Sequence, residues 1–228
     1  KLAPAWFDPD AHSVLWQSVL EHAIPNEEVR HFFQKVAGYT LTGVTGEDIF
    51  CLIHGPTRTS KGTIQEAIAT ALGDYAITCE LDLLARRDRT GGPRPELTRL
   101  RGARMVSIYE TSRRMSLSAS LVKTLAGSDP VTARSLYQAP ITFKPVAKIW
   151  VATNHLPNVP ADDDALWERI REIPFDVQLA EGERDRTVRA QLQEPEHRAA
   201  ILAWAVTGCR LWQAEGLQQP RAVRVAGC

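Results

Sequence analysis

A short apolar run, Asp48-Ile49-Phe50-Cys51-Leu52-Ile53-His54, leads straight into Gly55-Pro56-Thr57-Arg58-Thr59-Ser60-Lys61-Gly62-Thr63. A helical stretch from Ile64 to Leu72 follows and is stopped by Gly73. No other feature restricts the fold as much. An apolar run of that length without alternation reads as a strand buried on both faces, as in a parallel sheet. Strand, glycine-led loop and helix in that order are the setting of a phosphate-binding loop. Successive backbone N–H groups and the positive end of the helix converge there, and phosphate oxygens accept from them. Lys61 is the cation that would reach the outer phosphates of a nucleotide. Gly55, Pro56, Thr57, Arg58, Thr59, Ser60, Lys61, Gly62 and Thr63 are therefore the candidate nucleotide-binding residues. Two positions depart from the usual pattern. Ser60 stands where a glycine's freedom is commonly needed, and Gly62 lacks the hydroxyl expected to hold Mg²⁺, so Thr63 must supply it. Taken alone, the same residues also describe a Gly/Thr-rich turn with a solvated lysine.

Two more buried strands follow. Arg104-Met105-Val106-Ser107-Ile108-Tyr109-Glu110 ends on an acid, where an ATPase needs a carboxylate to order Mg²⁺ and polarise water. Glu110 stands there without the second acid that often accompanies it, and alone it could equally be a surface strand-end residue. Lys148-Ile149-Trp150-Val151-Ala152-Thr153-Asn154 ends on a neutral amide able to hold the attacking water; alone, Asn154 is also an ordinary turn residue. His155 reads as a neighbour, not a ligand. Phosphate loop, acid about 50 residues later and Asn about 45 after that form an order that chance rarely produces.

The rest of the chain frames this core. Residues 8–40 read as two helices, the first opened by Asp8-Pro9-Asp10 and the second capped by Asn26. Residues 86–104 form a basic surface segment with a short helix near its end. Ser118 to Leu125 is helical, and Val131 to Tyr137 with Ile141 to Lys144 make the arms of a hairpin. Arg169 to Phe175 is an edge strand, and the chain is helical again from Arg186. The predicted fold is α/β: a P-loop NTPase (AAA+-like) parallel-sheet core over 46–180, with N-terminal (1–45) and C-terminal (181–228) helical additions. The 27 basic and 27 acidic side chains cancel, so any nucleic-acid partner must be met by a local patch. Four scattered cysteines, without a CxxC pair, argue against zinc and a disulfide framework and for a reducing compartment. No apolar run spans a bilayer, and there is no signal peptide, so no membrane partner and a cytoplasmic location are expected. The first residue, Lys1 rather than Met, and the unpatterned end at Cys228 suggest a piece of a longer protein.

With these blocks assembled, the chain resembles superfamily 3 helicases, an AAA+-related group of viruses and mobile elements. Within that group it is more closely similar to the phage and plasmid primase-helicases of the poxvirus primase-helicase type. The blocks that carry the resemblance are Gly55–Thr63, Arg104–Thr111, Leu121–Tyr137 with its Lys123-Thr124-Leu125 and Asp129-Pro130-Val131-Thr132-Ala133-Arg134, Phe143-Lys144-Pro145, Thr153-Asn154-His155-Leu156-Pro157, and Trp167–Phe175. The resemblance implies an ATP- and Mg²⁺-dependent DNA helicase working as a homohexameric ring, with ATP between subunits. It implies Lys61, Glu110, Asn154 and Arg169 as the catalytic set: Glu110 (with Thr63) at the metal, Asn154 as the sensor, and Arg169 as an arginine finger reaching a neighbour's ATP. Where Glu168 stands the family more often has Arg, so Arg171 is the alternative finger. Relatives often carry a primase domain in the same chain, and a phage or plasmid origin places the protein in a host cell's cytoplasm.

Single-stranded or forked DNA is the expected partner. Lys123, Arg134, Lys144 and Lys148 flank the hairpin and suit backbone phosphates. Tyr137 and Phe143, interleaved among them, are expected in the core. The arginine-rich segment before residue 101 faces DNA or is a solvated loop. Three rivals fit parts of the pattern: a P-loop kinase for nucleotides or similar small acceptors, favoured by Lys61-Gly62-Thr63; a non-catalytic DNA-binding initiator module, favoured by Ser60 and Gly62; and an AAA+ remodeller of proteins.

Overall fold

The computed structural model describes residues 1–85, 94–109, 117–127, 129–156, 163–183 and 185–223. Helix α1 (Val14–Ala23) starts one turn later than expected, because Ser13 and not the Asp8-Pro9-Asp10 segment caps it: Ser13 Oγ accepts from the Trp16 N–H at 3.0 Å. Helix α2 (Glu27–Leu41) is capped by Asn26, whose Oδ1 accepts from the Val29 N–H at 3.1 Å, and Glu27 and Glu28 favour its positive end. Then follow β1 (Phe50–His54), α3 (Lys61–Leu72), β2 (Ala76–Thr78), α4 (Pro95–Thr98), β3 (Met105–Tyr109) and α5 (Ala119–Ala126). The hairpin is β4 (Val131–Ala133) with β5 (Ile141–Phe143), and after it come β6 (Lys148–Thr153), α6 (Asp164–Trp167), β7 (Ile170–Pro174), α7 (Val188–Gln191) and α8 (Pro195–Glu215).

Five strands form one sheet in the order β2-β3-β6-β1-β7, and every neighbouring pair is parallel. The pleat sends Cys51, Ile53, Met105, Trp150 and Ile173 to the face covered by α2, α3 and α8. Phe50, Leu52, Val106, Ile108, Val151 and Ile170 go to the other face, against Val122 and Leu125 of α5. Both faces are covered, which is why the strands read as continuous apolar runs and not as alternation.

The two helical ends pack on each other. At the α2–α8 crossing a Cβ on Gly38 would lie 2.0 Å from the Cys209 backbone nitrogen, and one on Gly208 would lie 2.0 Å from the Gln34 carbonyl. Only glycines permit that approach. Trp16 meets Trp204 edge-on at 5.2 Å, and Phe33 meets Trp150 at 5.5 Å and Phe175 at 5.9 Å, so α2 locks α8 and the sheet into one core.

Candidate nucleotide site and hairpin

In an open parallel sheet, ligands bind beyond the carboxyl ends of the strands. There β1 ends at His54, β6 at Thr153 and β3 at Tyr109. Gly55 is where the chain leaves β1, and it must be glycine: a Cβ would lie 2.0 Å from the Phe175 carbonyl. The loop then takes two left-handed residues, Arg58 (φ 69°) and Ser60 (φ 60°). That conformation is costly for any residue with a Cβ, so serine at position 60 carries strain that a glycine there would not. Ser60 offers α3 no side-chain cap, and the helix opens with its first-turn amides uncapped by a side chain.

Lys61 sits inside the loop. It is 8% exposed, and its ammonium donates to the Pro56 carbonyl at 2.6 Å and the Thr59 hydroxyl at 3.4 Å. Burial lowers its pKa. Thr59 is itself buried and donates to the Pro56 carbonyl at 3.2 Å, whereas Pro56, Thr57 and Arg58 are exposed. The cation is therefore shielded but bonded only to loop oxygens, which an anionic ligand can replace. Gln65, fully buried, fastens α3 to the strand ends by donating to Ser107 Oγ at 3.0 Å and to the Ile108 and Trp150 carbonyls at 3.3 and 3.2 Å. Thr63 is half-buried in the first turn, and the Tyr109 ring lies 4.0 Å from the place a Cβ on Gly62 would take.

Asn154 is brought to this same edge. The Gly55 N–H donates to the Thr153 carbonyl at 3.3 Å, and Thr153 Oγ1 both accepts from the His155 N–H at 3.1 Å and donates to the His155 carbonyl at 2.7 Å. Those bonds hold the turn carrying half-buried Asn154 beside the loop. Glu110, the expected metal carboxylate, lies outside the described residues, one position beyond Tyr109. Among the described residues no group of three or more His, Cys, Asp or Glu could hold a metal by itself. No spacing or motif points to the pairing of His54 with Glu172. Its Nδ1 lies 2.9 Å from Oε1 of the carboxylate, which is nearly buried.

The other predicted cations lie elsewhere. Arg169 precedes β7, at the amino edge of the sheet. The five residues of β1 that separate that edge from Gly55 span ~17 Å. Arg169 donates to the Ala165 carbonyl and lies 3.9 Å from Asp48, and its Nε is buried without a partner. Arg171 donates to the Glu168 carbonyl, and burial lowers its pKa. Neither arginine is placed to meet the loop of its own chain.

Lys148 requires a correction. Expected to meet DNA, it is 3% exposed, donates to the Thr42 and Val146 carbonyls at 2.8 and 3.1 Å, and lies 4.4 Å from the Tyr39 ring centre. Burial pushes its pKa down to about 7. As the first residue of a fully buried strand, its side chain is swallowed by the α2–sheet junction.

The remaining hairpin cations differ among themselves. Lys123 is bonded to Asp163 at 2.6 Å, and that bond holds the Asp163 carboxyl below its usual pKa. Arg134 and Lys144 are exposed. Phe143 is half-buried against the core as expected, but Tyr137 is not: at the hairpin tip it is 103% exposed, beside Leu136 at 62%. The basic positions 86–93 lie outside the described residues.

Residues 53–169 match the model of a protein family described as DUF5906, a family of unknown function. That span starts in β1 and closes at Arg169, taking in the loop, β3, the hairpin and β6. The chain belongs to the DUF5906 family. Several viral proteins resemble this DUF5906 chain. It is 30% identical over 152 residues to "Putative helicase L207/L206" of Acanthamoeba polyphaga mimivirus, covering 66% of this chain and 16% of that protein. It is 31% identical over 157 residues to "Putative helicase 022R" of Frog virus 3, covering 67% and 16%. To "Putative primase C962R" of African swine fever virus it is 26% identical over 156 residues, covering 68% and 16%. The chain thus spans about a sixth of the length of these relatives. Among solved structures, the apo NrS-1 C-terminal region (305–718) superposes with a TM-score of 0.69 at 14% identity, covering 96% of this chain and 50% of that one. An A-form apo structure of the same region gives 0.66 at 12%, covering 90% and 47%. At these identities the likeness is one of fold. Among the described residues no helix is long and apolar enough to cross a membrane.

Proposed function

We propose that this DUF5906 chain is the ATP-hydrolysing motor of a replication helicase of the superfamily 3 type. The observation that carries the reading is the carboxyl edge of the sheet, where a shielded Lys61 and the first turn of α3 converge beside the Asn154 turn. Relatives named as helicases and primases support the same direction.

In this reading Gly55 to Thr63 hold the phosphates of ATP. The residues fit that group: an ammonium bonded only to replaceable oxygens and a helix start with no side-chain cap are the donors a phosphate chain needs. Thr63 and Glu110 hold Mg²⁺, which screens phosphate charge. Asn154 orients the attacking water. Arg169, with Arg171 as the alternative, serves a neighbouring copy, because its own loop is a strand-length away. Such a site is complete only between subunits, so the proposal includes a ring, with six copies as the expected number. DNA is gripped by the hairpin: exposed Arg134 and Lys144 take phosphates, Lys123 joins them if Asp163 releases it, and Tyr137 offers a face for a base.

The test is ATP hydrolysis by the purified, assembled chain with and without single-stranded DNA. Turnover that DNA stimulates and that Lys61→Ala reduces by ~10²–10³-fold is expected, the scale of losing one preorganised charge donor. An assembled ring without turnover would defeat the motor.

A further inference from the structure

The loop 55–63 is held partly by its own bonds to Pro56 and partly by a strap after β7. Phe175 anchors the strap, buried against Phe33 at 5.9 Å. Its N–H donates to the His54 carbonyl at 2.8 Å, and its own carbonyl fills the space where Gly55 lacks a Cβ. Three residues later the strap crosses the loop. The Gln178 side-chain amide donates to the Thr57 carbonyl at 2.9 Å, and the Leu179 N–H donates to the Arg58 carbonyl at 2.9 Å. The same segment reaches α3 farther on: Arg189 pairs with Glu66, and Gln193 donates to Glu66 at 3.0 Å.

The Gln178 and Leu179 bonds fall on the two peptide planes that flank Arg58. Arg58 and Ser60 are both left-handed, a conformation that an exposed loop of non-glycine residues abandons unless something outside it fixes the peptide planes. Thr57 and Arg58 are exposed, and the strap supplies a bond to the carbonyl of each. With the carbonyls of Thr57 and Arg58 engaged on the strap side, those peptide planes are fixed facing the strap. Oxygens are thereby kept out of the anion's way. The two braced planes are the ones that flank Arg58, the left-handed residue that is exposed.

We propose that Gln178 is a positioning residue for the phosphate loop, holding it in the phosphate-receiving shape from the strap between β7 and α7. The inference rests on the reading of Gly55 to Thr63 as a nucleotide site, and deepens it. The test uses the assembled chain with Gln178→Met, which keeps the length and loses the donor, and Gln178→Lys, which restores a donor. Hydrogen exchange of the loop junction, read at the bonded Gly55, Phe175 and Leu179 amides, is compared with that of β6 in the same sample, and KM and kcat for ATP are measured beside it. Gln178→Met is expected to speed loop exchange about three- to ten-fold, the scale of one net hydrogen bond, with β6 unchanged. KM for ATP rises by a similar factor while kcat stays within about two-fold, and Gln178→Lys recovers most of both. Loop exchange equal to wild type in Gln178→Met, or equal loosening of loop and β6, overturns the proposal. Exchange does not depend on turnover, so wild-type protein that fails to hydrolyse ATP would defeat the motor reading while the strap is still judged.

Discussion

Two of the buried lysines lie at opposite edges of the sheet, and their surroundings differ in kind. Lys61, at the carboxyl edge, is shielded by a loop whose outer residues Pro56, Thr57 and Arg58 face solvent. Its partners are the loop's own oxygens, and the loop can give them up to a ligand. Lys148, at the amino edge, is sealed by helix: Tyr39 lies over it, the Thr42 and Val146 carbonyls take its protons, and Cys209 of α8 is among the groups that act on its charge. Burial depresses the pKa of both. The difference teaches that a buried cation marks a binding site only when its neighbours can exchange it. The carboxyl edge is built to be opened and the amino edge to stay closed.

The largest effect should come from breaking the closed edge. Gly208→Ala puts a Cβ 2.0 Å from the Gln34 carbonyl, so α2 and α8 must separate. A loss of about 3 kcal/mol in denaturant unfolding is expected, overpacking at its upper range. Nucleotide affinity of the molecules that remain folded should be unchanged, and a matching loss of affinity would show that the two edges are not independent.

A smaller effect sharpens the contrast through pH. Lys148 has a folded pKa of about 7 against an ordinary 10.5, so above pH 7 the unfolded chain binds the extra proton and stability rises with pH. The slope is at most about 1.4 kcal/mol per pH unit. The window closes near pH 9, where the Cys51 thiol, pushed by burial from 9.0 to about 12, begins to favour unfolding. Urea titrations across pH 7–9 should show this rise in the wild type and a flatter profile in Lys148→Met. Identical profiles would mean Lys148 is not sealed.

The smallest effect lies at the open edge. Ser60→Gly removes the left-handed penalty at φ 60° and should stabilise the fold by about 1 kcal/mol, less the entropy glycine loses on folding. A melting temperature that falls would mean the serine side chain contributes something its uncapped position hides.

Particular residues explain what could be read from sequence. The strands at 50–54, 105–109 and 148–153 were legible because burial on both faces leaves an uninterrupted apolar run. The loop was legible because its chemistry is local. The edge strand β2, Ala76–Thr78, was missed, since three residues carry no period. Ser13 was missed as a cap because an Asp-Pro-Asp opening one turn upstream competed with it. Lys148 was misplaced and Tyr137 was expected inside because strand position alone does not tell which helix covers a strand's start or how far a hairpin tip projects. The glycine crossing of α2 and α8, the His54–Glu172 pair and the strap at 175–179 join residues more than 100 positions apart, and no spacing rule reports them.

The central claim is that the carboxyl edge, and not the amino edge, receives a nucleotide. Calorimetric titration of Mg·ATP into wild type, Lys61→Ala and Lys148→Met tests it most directly. The account predicts binding by wild type and Lys148→Met with similar affinity, and its loss in Lys61→Ala with the fold intact by circular dichroism. Undiminished binding by Lys61→Ala, or binding lost only in Lys148→Met, would contradict it.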